Sequence, residues 1–183
     1  MTNTKVRKMI FIALCVCLMA ICSWIAIPAP VPFTLQTFAV FGITLVLKGK
    51  EATKVVLLYI FMGAVGIPVF AGMSGGFFHI LAPTGGYLVG FLFIPLMAWA
   101  FEHTKISGLK KKIIPLVIGL ILCYAAGTAW FIAMLSDKSS LGAVLMLCVV
   151  PYVVPDILKL LLAVVVSKRI RIDFFLALND RKG

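Results

Sequence analysis

The chain has 183 residues, of which 63% are hydrophobic and 13% are charged. Soluble domains contain about 25% charged residues, so this composition excludes a soluble globular protein and predicts a membrane protein. The formal net charge of +11 does not indicate a nucleic-acid-binding protein, because the basic residues lie in short clusters between apolar segments.

Six apolar segments follow one another along the chain. Hydropathy and helix-breaking residues place them near residues 9–27, 35–47, 55–70, 86–101, 113–135 and 147–167. A membrane helix needs about 20 residues, so the length accommodates six spans and no separate soluble domain. We therefore predict that residues 1–183 form one all-α membrane domain of six transmembrane helices. The first apolar segment is too long for a secretory signal, and we expect it to be retained.

The basic residues predict the orientation of this bundle. Of the 17 lysines and arginines, all but Lys138 and Lys159 lie near the two termini or in alternate connections. By the positive-inside rule, both termini are predicted to be cytoplasmic. The outward connections are then residues 28–34, 71–85 and 136–140. The first two contain no charged residue, and we expect them to form the lid and wall of an outward-facing pocket.

The first predicted helix carries a stripe of small side chains, at Ala13, Cys17, Ala20 and Ala26. Small residues let another helix approach closely, either from a partner protein or from the same bundle. Trp24 lies near the outer end of this helix, where it belongs either to an interfacial aromatic belt or to the pocket wall.

The first outer connection combines alternating prolines with polar residues. Prolines at 28, 30 and 32 stiffen the chain before Phe33, Thr34 and Gln36. We expect Thr34 and Gln36 to offer a hydroxyl and an amide to a ligand. The alternative is that Thr34 caps the next helix and that Gln36 bonds to a neighbouring residue.

The second outer connection, residues 70–87, is the longest predicted irregular stretch, and it is rich in glycine. Glycines let the backbone approach a ligand closely, while aromatic side chains supply apolar walls. We expect His79 to be an interfacial residue and not a metal ligand, because no acid or second histidine lies in this connection. The candidate pocket residues here are Gly75, Gly76, Thr84, Gly85, Gly86 and Tyr87, with Phe77 and Phe78 as further wall residues.

Asp156 and Lys159 are two charges within a long apolar run, three residues apart. A charge at membrane depth is costly and normally faces a cavity or a partner charge. The spacing places the two side chains on one helix face, where they offer an acceptor and a donor to the same ligand. Pro151 and Pro155 are predicted to kink the helix beside the pair. The alternative is a purely structural salt bridge.

The chain lacks the common signatures of nucleotide hydrolysis and hydrolytic catalysis. It contains no G-x-x-x-x-G-K-[ST], H-E-x-x-H or G-x-S-x-G motif. Its five cysteines all lie in apolar segments and are predicted to be packing residues. We therefore expect no enzyme activity, no metal and no cofactor, and any energy for transport has to come from a partner.

Four motifs taken together resemble one protein family. They are Pro-Val-Pro-Phe-Thr-Leu-Gln-Thr at 30–37, Phe-Ala-Gly-x-x-Gly-Gly at 70–76, Pro-Thr-Gly-Gly-Tyr-Leu-x-Gly-Phe at 83–91 and Asp-x-x-Lys at 156–159. The chain resembles the biotin-specific substrate-capture subunit of bacterial energy-coupling factor transporters. It departs from the family pattern at Ala82, where a glycine is common, and at Cys17, where alanine is usual on the coupling surface.

The resemblance implies a bacterial plasma-membrane protein that binds biotin as its transported substrate. It also implies a complex with a transmembrane coupling subunit and two ATPase subunits, with Ala13, Cys17 and Ala20 as candidate contact residues.

Biotin has a ureido ring with two N–H donors and one carbonyl, an apolar bicycle and tail, and a terminal carboxylate. We expect Asp156 to accept the ureido N–H groups and Lys159 to donate to the ureido oxygen, with Gln36 sharing that role. Trp24 and Tyr87 are expected to flank the bicycle, and amides near Gly75, Gly76 and Gly86 to bind the carboxylate. The reverse orientation, with the carboxylate on Lys159, stays open.

Two other functions remain as alternatives. One is a self-sufficient proton-linked vitamin carrier with Asp156 as the proton site. The other is a membrane enzyme acting on lipid, for which one Asp–Lys pair and one histidine provide few catalytic groups.

Overall fold

The structure is a computed structural model that describes residues 2–29, 31–104, 108–134 and 141–169. This part of the chain is mainly helical, with a single two-stranded hairpin. The helices are α1 (Thr2–Trp24), α2 (Gln36–Leu47), α3 (Gly49–Ala64), α4 (Phe77–Leu81), α5 (Gly85–Gly90), α6 (Phe93–Ala100), α7 (Gly108–Met134), α8 (Leu141–Cys148) and α9 (Val150–Arg169).

Four helical segments in the described part of the chain are long and apolar enough to cross a membrane. They cover Lys5–Trp24, Gly85–His103, Gly108–Met134 and Leu141–Arg169. The second and third predicted spans correspond to the shorter helices α2 and α3, of 12 and 16 residues. The predicted helical architecture with apolar segments of membrane-spanning length is thus confirmed. The six crossings, the location of the termini and the orientation of the pocket stay predictions.

The third predicted span, residues 55–70, was placed six residues too late. Helix α3 begins at Gly49, whose N–H donates to the Glu102 carboxylate at 3.0 Å. It accommodates charged residues in its first turns because Glu51 and Lys54 pair with each other at 3.0 Å. The helix ends at Ala64, two residues before Gly66, which adopts a φ of 101°. Charge alone was therefore a poor marker of where this helix begins.

Two predicted spans are each divided into two helices. The fourth predicted span is interrupted at residues 91–92, between α5 and α6. Pro95 then lies in the first turn of α6, where proline is tolerated. The last breaks at Val149, so Pro151 lies in the first turn of α9. Pro155 lies inside α9, which continues through it, and the interruption at Val149 precedes both prolines. The predicted kink at the prolines stays a prediction.

Helix α2 lies at the centre of the bundle and contacts α1, α3, α6 and α9. Its apolar side chains Val40 and Phe41 are completely buried, and Leu47 is almost so. Because α2 is enclosed by four helices, the polar residues of its first turn are held in the interior. This position brings Gln36 and Thr37 next to α3 and α9.

The two uncharged connections are more ordered than the sequence predicted. The first forms an antiparallel hairpin in which β1 (Ala26–Ile27) pairs with β2 (Phe33–Thr34). The second contains a 3₁₀ turn at Ala71–Met73 and the short helix α4. The prediction that residues 70–87 are a single irregular stretch is therefore wrong.

Candidate functional site

Asp156 and Lys159 form a buried ion pair on α9, with a distance of 2.8 Å between Lys159 Nζ and Asp156 Oδ1. Only 3% of Asp156 and 8% of Lys159 is exposed. The i, i+3 spacing brings the two groups together on the face of α9 that packs against α2. The sequence prediction that these charges share one site is therefore confirmed at the level of geometry.

Two neighbouring helices supply further hydrogen bonds to the Asp156 carboxylate. Thr37 of α2 donates from Oγ1 to Oδ1 at 2.8 Å, and Tyr124 of α7 donates from its hydroxyl to Oδ2 at 2.6 Å. A buried carboxylate is costly unless it is paired and hydrogen-bonded, and here both oxygens are satisfied. The charge is thus held in a fixed place by three helices.

Lys159 makes two contacts besides the ion pair. Its ammonium group donates to Thr37 Oγ1 at 3.1 Å and lies 4.3 Å from the centroid of the Phe33 ring. Phe33 in turn lies 6.0 Å from the ring of Tyr152, whose hydroxyl donates to the Val31 carbonyl. Val31 and Phe33, in the connection between α1 and α2, therefore contact α9 beside the ion pair.

A second polar network surrounds Gln36. Its side-chain Nε2 donates to the Tyr59 hydroxyl at 2.6 Å, and Tyr59 donates to the Val69 carbonyl at 2.8 Å. Thr34 donates to Gln36 Oε1 at 3.3 Å and accepts the Gln36 backbone N–H at 3.2 Å. These are the bonds that the alternative prediction described, yet both side chains also line a cavity.

The cavity consists of two adjoining chambers, and each chamber is lined by Val31, Pro32, Thr34, Tyr87 and Phe91. The large chamber has a volume of about 260 Å³ and lies between the two outer connections, α2 and α5. Its polar lining comes from Thr34, Gln36, Ser74, His79, Thr84 and Tyr87. Because the apolar walls carry a few separate polar groups, the chamber suits a mainly apolar ligand with polar ends.

The small chamber, of about 50 Å³, continues the cavity to the ion pair. Its polar lining is formed by Thr34, Thr37, Tyr87, Tyr124, Tyr152, Asp156 and Lys159. A ligand with a compact polar head would reach these groups from the large chamber. The arrangement therefore provides one end with concentrated hydrogen-bonding capacity and a wider end with dispersed polar groups.

Three of the four predicted glycines are tightly packed, and none of the four is among the residues that line the cavity. A Cβ at Gly75 would overlap the backbone of Ile67, one at Gly85 would overlap Ile80, and one at Gly86 would overlap Trp130. The N–H of Gly76 donates to the Gly63 carbonyl at 2.7 Å. That donor is therefore already engaged by the backbone, and the predicted contact of the glycine amides with a carboxylate stays a prediction.

Three aromatic predictions for the pocket wall need correction. Trp24 is 40% exposed, and its indole N–H donates to the Pro68 carbonyl at 2.9 Å. Phe77 and Phe78 are 59% and 85% exposed. None of the three is among the residues that line the large or the small chamber. Tyr87 does line both chambers, and its hydroxyl lies 3.0 Å from Thr128 Oγ1.

His79 occupies a partly different place from the one predicted. It is exposed, as expected for an interfacial residue, but it also lines the large chamber and lies 6.3 Å from the Phe70 ring. Among the described residues, no group of three histidine, cysteine or acidic side chains could hold a metal ion. His79 is thus a polar group of the cavity.

The small-residue stripe of α1 is divided between two environments. Ala13 and Cys17 are exposed, next to the exposed apolar side chains Leu14 and Leu18. Ala20 is 5% exposed and belongs to the core. The assignment of Ala20 to an outward contact surface is therefore wrong, because α1 turns this residue toward its own bundle.

The sequence analysis did not identify four residues that form hydrogen bonds at the site. They are Thr37, Tyr59, Tyr124 and Tyr152. Thr37 stands beside Gln36 and offered a signal, since a hydroxyl in an apolar helix needs a partner. Tyrosines are common in membrane helices at many depths, and their sequence positions did not indicate which of them face Asp156.

Comparison with known proteins decides the family. A profile of the BioY family matches residues 1–174. The chain belongs to the BioY family. A probable biotin transporter BioY from Pyrococcus horikoshii is 37% identical over 171 residues, covering 91% of this chain and 98% of that protein. The biotin transporter BioY2 of Lactococcus lactis is 37% identical over 167 residues, covering 90% of each chain.

A solved structure has a similar fold. The crystal structure of the S-component for biotin from an ECF-type ABC transporter superposes with a TM-score of 0.80 at 26% identity, covering 93% of this chain and 94% of that chain. The family predicted from the four sequence motifs is thereby confirmed.

Proposed function

We propose that this chain binds biotin from outside the cell and delivers it across the membrane as the substrate-specific subunit of an ATP-driven energy-coupling factor transporter. The observation that carries the proposal is the buried Asp156–Lys159 pair at the end of a cavity in a BioY-family fold. Related proteins are named biotin transporters, and the similar solved structure is a biotin S-component.

The ureido ring of biotin fits the free capacity of the ion pair. An ammonium group has three donors, and Lys159 uses two of them on Asp156 and Thr37. The third is available to the ureido oxygen. Asp156 accepts three hydrogen bonds, whereas a carboxylate has about four lone-pair sites. One ureido N–H is accommodated directly, and a second would replace Tyr124 or Thr37 as donor.

The tail of biotin then extends into the large chamber. Its apolar chain passes Leu88 and Phe91, and its carboxylate reaches the polar groups Ser74, His79 and Thr84. We assign the carboxylate to these side chains because the Gly76 amide is already bonded to Gly63. The opposite orientation would place two carboxylates beside each other at Asp156, which like-charge repulsion disfavours.

The orientation in the membrane follows from charge. By the positive-inside rule, the basic clusters support an arrangement in which both termini are cytoplasmic and the two uncharged connections and the cavity face outward. The tie between Tyr152 and Val31 supports a role of the first connection as a cover of the small chamber. The second connection, residues 71–85, covers the large chamber.

The coupling partners are proposed from the resemblance and from the exposed apolar face of α1. Leu14, Leu18 and Ile21 are 46–60% exposed, and Ala13 and Cys17 lie on the same outer side. A transmembrane coupling subunit contacts this face, and two ATPase subunits supply the energy. No observation favours the proton-linked carrier.

Uptake of radiolabelled biotin by a bacterial strain without its own biotin transporter tests the proposal. Cells that express this chain together with an energy-coupling module are expected to accumulate biotin. Cells with a module whose ATPases lack activity are expected to bind biotin without accumulating it. Accumulation that follows the proton gradient and ignores the ATPases would contradict the proposal and support the proton-linked alternative.

A further inference from the structure

A second cavity lies at the opposite end of the bundle from the Asp156–Lys159 site. Its volume is about 390 Å³, and it lies where α2 joins α3 and where α6 approaches α7. Helix α2 separates the two sites, since Gln36 at its first residue lines one cavity and Thr44 and Leu45 near its end line the other. At 1.5 Å per residue, the 12 residues of α2 span about 18 Å.

Basic side chains dominate the charged lining of this second cavity. Lys48, Lys111 and Lys112 contribute three positive charges, and Glu102 contributes one negative charge. The Glu102 carboxylate is bonded to the Gly49 N–H at the start of α3 at 3.0 Å. His103 adds an exposed imidazole. The formal balance is therefore positive, and the single acid is engaged in capping a helix.

Two of the three lysines are not used by the fold. Lys111 donates to the Glu102 and Thr104 carbonyls at 2.8 and 3.3 Å and so closes the end of a 3₁₀ turn at Phe101–His103, which follows α6. Lys48 and Lys112 are exposed, and neither ammonium group has a hydrogen bond or an ion pair to another described residue. Both ammonium groups are thus available to an anion in the cavity.

The backbone at Lys48 is strained. Its φ of 67° and ψ of 165° fall in a region that is essentially restricted to glycine. A glycine would join α2 to α3 at lower cost, yet this position carries a lysine whose side chain lines the cavity. The strain indicates that the lysine side chain has a role besides joining α2 to α3.

The rest of the lining indicates what kind of anion fits. Leu45, Ala98, Phe101 and Leu116 give the cavity an apolar wall beside the lysines. Trp99, next to Ala98, is 40% exposed and lies 6.0 Å from the Lys50 ammonium group. Exposed tryptophans with nearby lysines mark the headgroup level of a bilayer. By this rule, the cavity is expected to open at the depth where lipid phosphates lie.

We propose that this cavity binds the headgroup of an anionic phospholipid, with Lys48 and Lys112 contacting the phosphate and the apolar wall contacting the upper part of an acyl chain. Basic pockets between membrane helices are suited to acidic headgroups. The proposal goes beyond biotin transport and does not depend on which side of the membrane this end faces. The bound lipid would contact Lys48 and so stabilise the junction of α2 and α3.

Native mass spectrometry of the detergent-purified chain tests the proposal with dioleoylphosphatidylglycerol and dioleoylphosphatidylcholine as probes. The wild type is expected to retain phosphatidylglycerol in preference to phosphatidylcholine. K48Q/K112Q is expected to lose about 25-fold in that preference, about five-fold for each lysine. The matched control K54Q/K110Q removes two exposed lysines that do not line the cavity, and it should keep the preference. Size-exclusion elution and thermal unfolding establish that each variant is folded.

Four results would overturn the proposal. The first three are equal retention of the two lipids by the wild type, an unchanged preference in folded K48Q/K112Q, and an equal loss in both double variants. The fourth is displacement of phosphatidylglycerol by millimolar inorganic phosphate, which would assign the site to a soluble phosphate and not to a lipid. Because the readout involves no biotin, its outcome is independent of the proposed substrate.

Discussion

Replacing Lys159 by methionine separates a ligand-binding role of the ion pair from a structural one. The change removes the ammonium group that lies 2.8 Å from Asp156 Oδ1 and 3.1 Å from Thr37 Oγ1. Asp156, which is 3% exposed, would then be a buried charge with only two neutral donors. Breaking a buried pair in this way costs about 3–5 kcal/mol of stability. Lys159→Met is therefore expected to unfold at markedly lower denaturant concentration.

The double variant Asp156→Asn/Lys159→Met removes both charges. Neutral replacement of a complete buried pair is often nearly neutral for stability, so we expect unfolding close to that of the wild type. Biotin affinity should not return, because hydrogen bonds to charged groups contribute about 1.5–3 kcal/mol each. One such bond corresponds to a loss of about 10- to 150-fold in Kd.

Denaturant unfolding and isothermal titration with biotin measure the two effects separately. Lys54→Met is the matched control, because Lys54 forms an i, i+3 pair with Glu51 at 3.0 Å on the exposed surface. It should cost at most about 1 kcal/mol and leave biotin binding unchanged. Recovery of biotin affinity together with stability in the double variant would show that the pair is only a structural salt bridge, and it would refute the assigned ligand role.

Three further changes test other parts of the structure. Gly49→Ala should lose about 1–3 kcal/mol in denaturant unfolding because its Cβ would overlap the backbone of α6, whereas Gly142→Ala, with open space around it, should gain up to about 1 kcal/mol; equal effects would contradict the packing. Tyr152→Phe removes the bond to the Val31 carbonyl and should speed biotin release in stopped-flow measurements, and an unchanged rate would exclude a covering role of that connection. Lys48→Gly should raise the free energy of unfolding by about 1–2 kcal/mol by relieving the strained backbone, and a decrease would show that the strain is absent.

The sequence predicted the general architecture because membrane burial imposes simple rules. Apolar segments located the helices, and the isolated charges Asp156 and Lys159 located the polar end of the cavity, since charges in an apolar run need partners. Thr34 and Gln36 were found for the same reason. These inferences depend on local composition, which can be read along a single chain.

The failures concern features that depend on tertiary packing. The role of Tyr124 could not be inferred, because only the approach of α7 to α9 brings its hydroxyl to Asp156. Gly85 and Gly86 looked like ligand-binding backbone, but helix packing requires their lack of a side chain. The start of α3 was missed because Glu51 and Lys54 neutralise each other, and because Glu102, distant in sequence, caps Gly49.

Titration of the detergent-purified chain with biotin, followed by heat or tryptophan fluorescence, tests the central claim most directly. Biotinamide and desthiobiotin serve as comparisons, because the first changes only the carboxylate and the second retains the ureido group without the thioether bridge. Saturable binding by the chain alone is expected, with a large loss for Asp156→Asn and a smaller one for biotinamide. Folded protein that binds no biotin, or an Asp156→Asn variant with unchanged affinity, would contradict the assignment of this cavity.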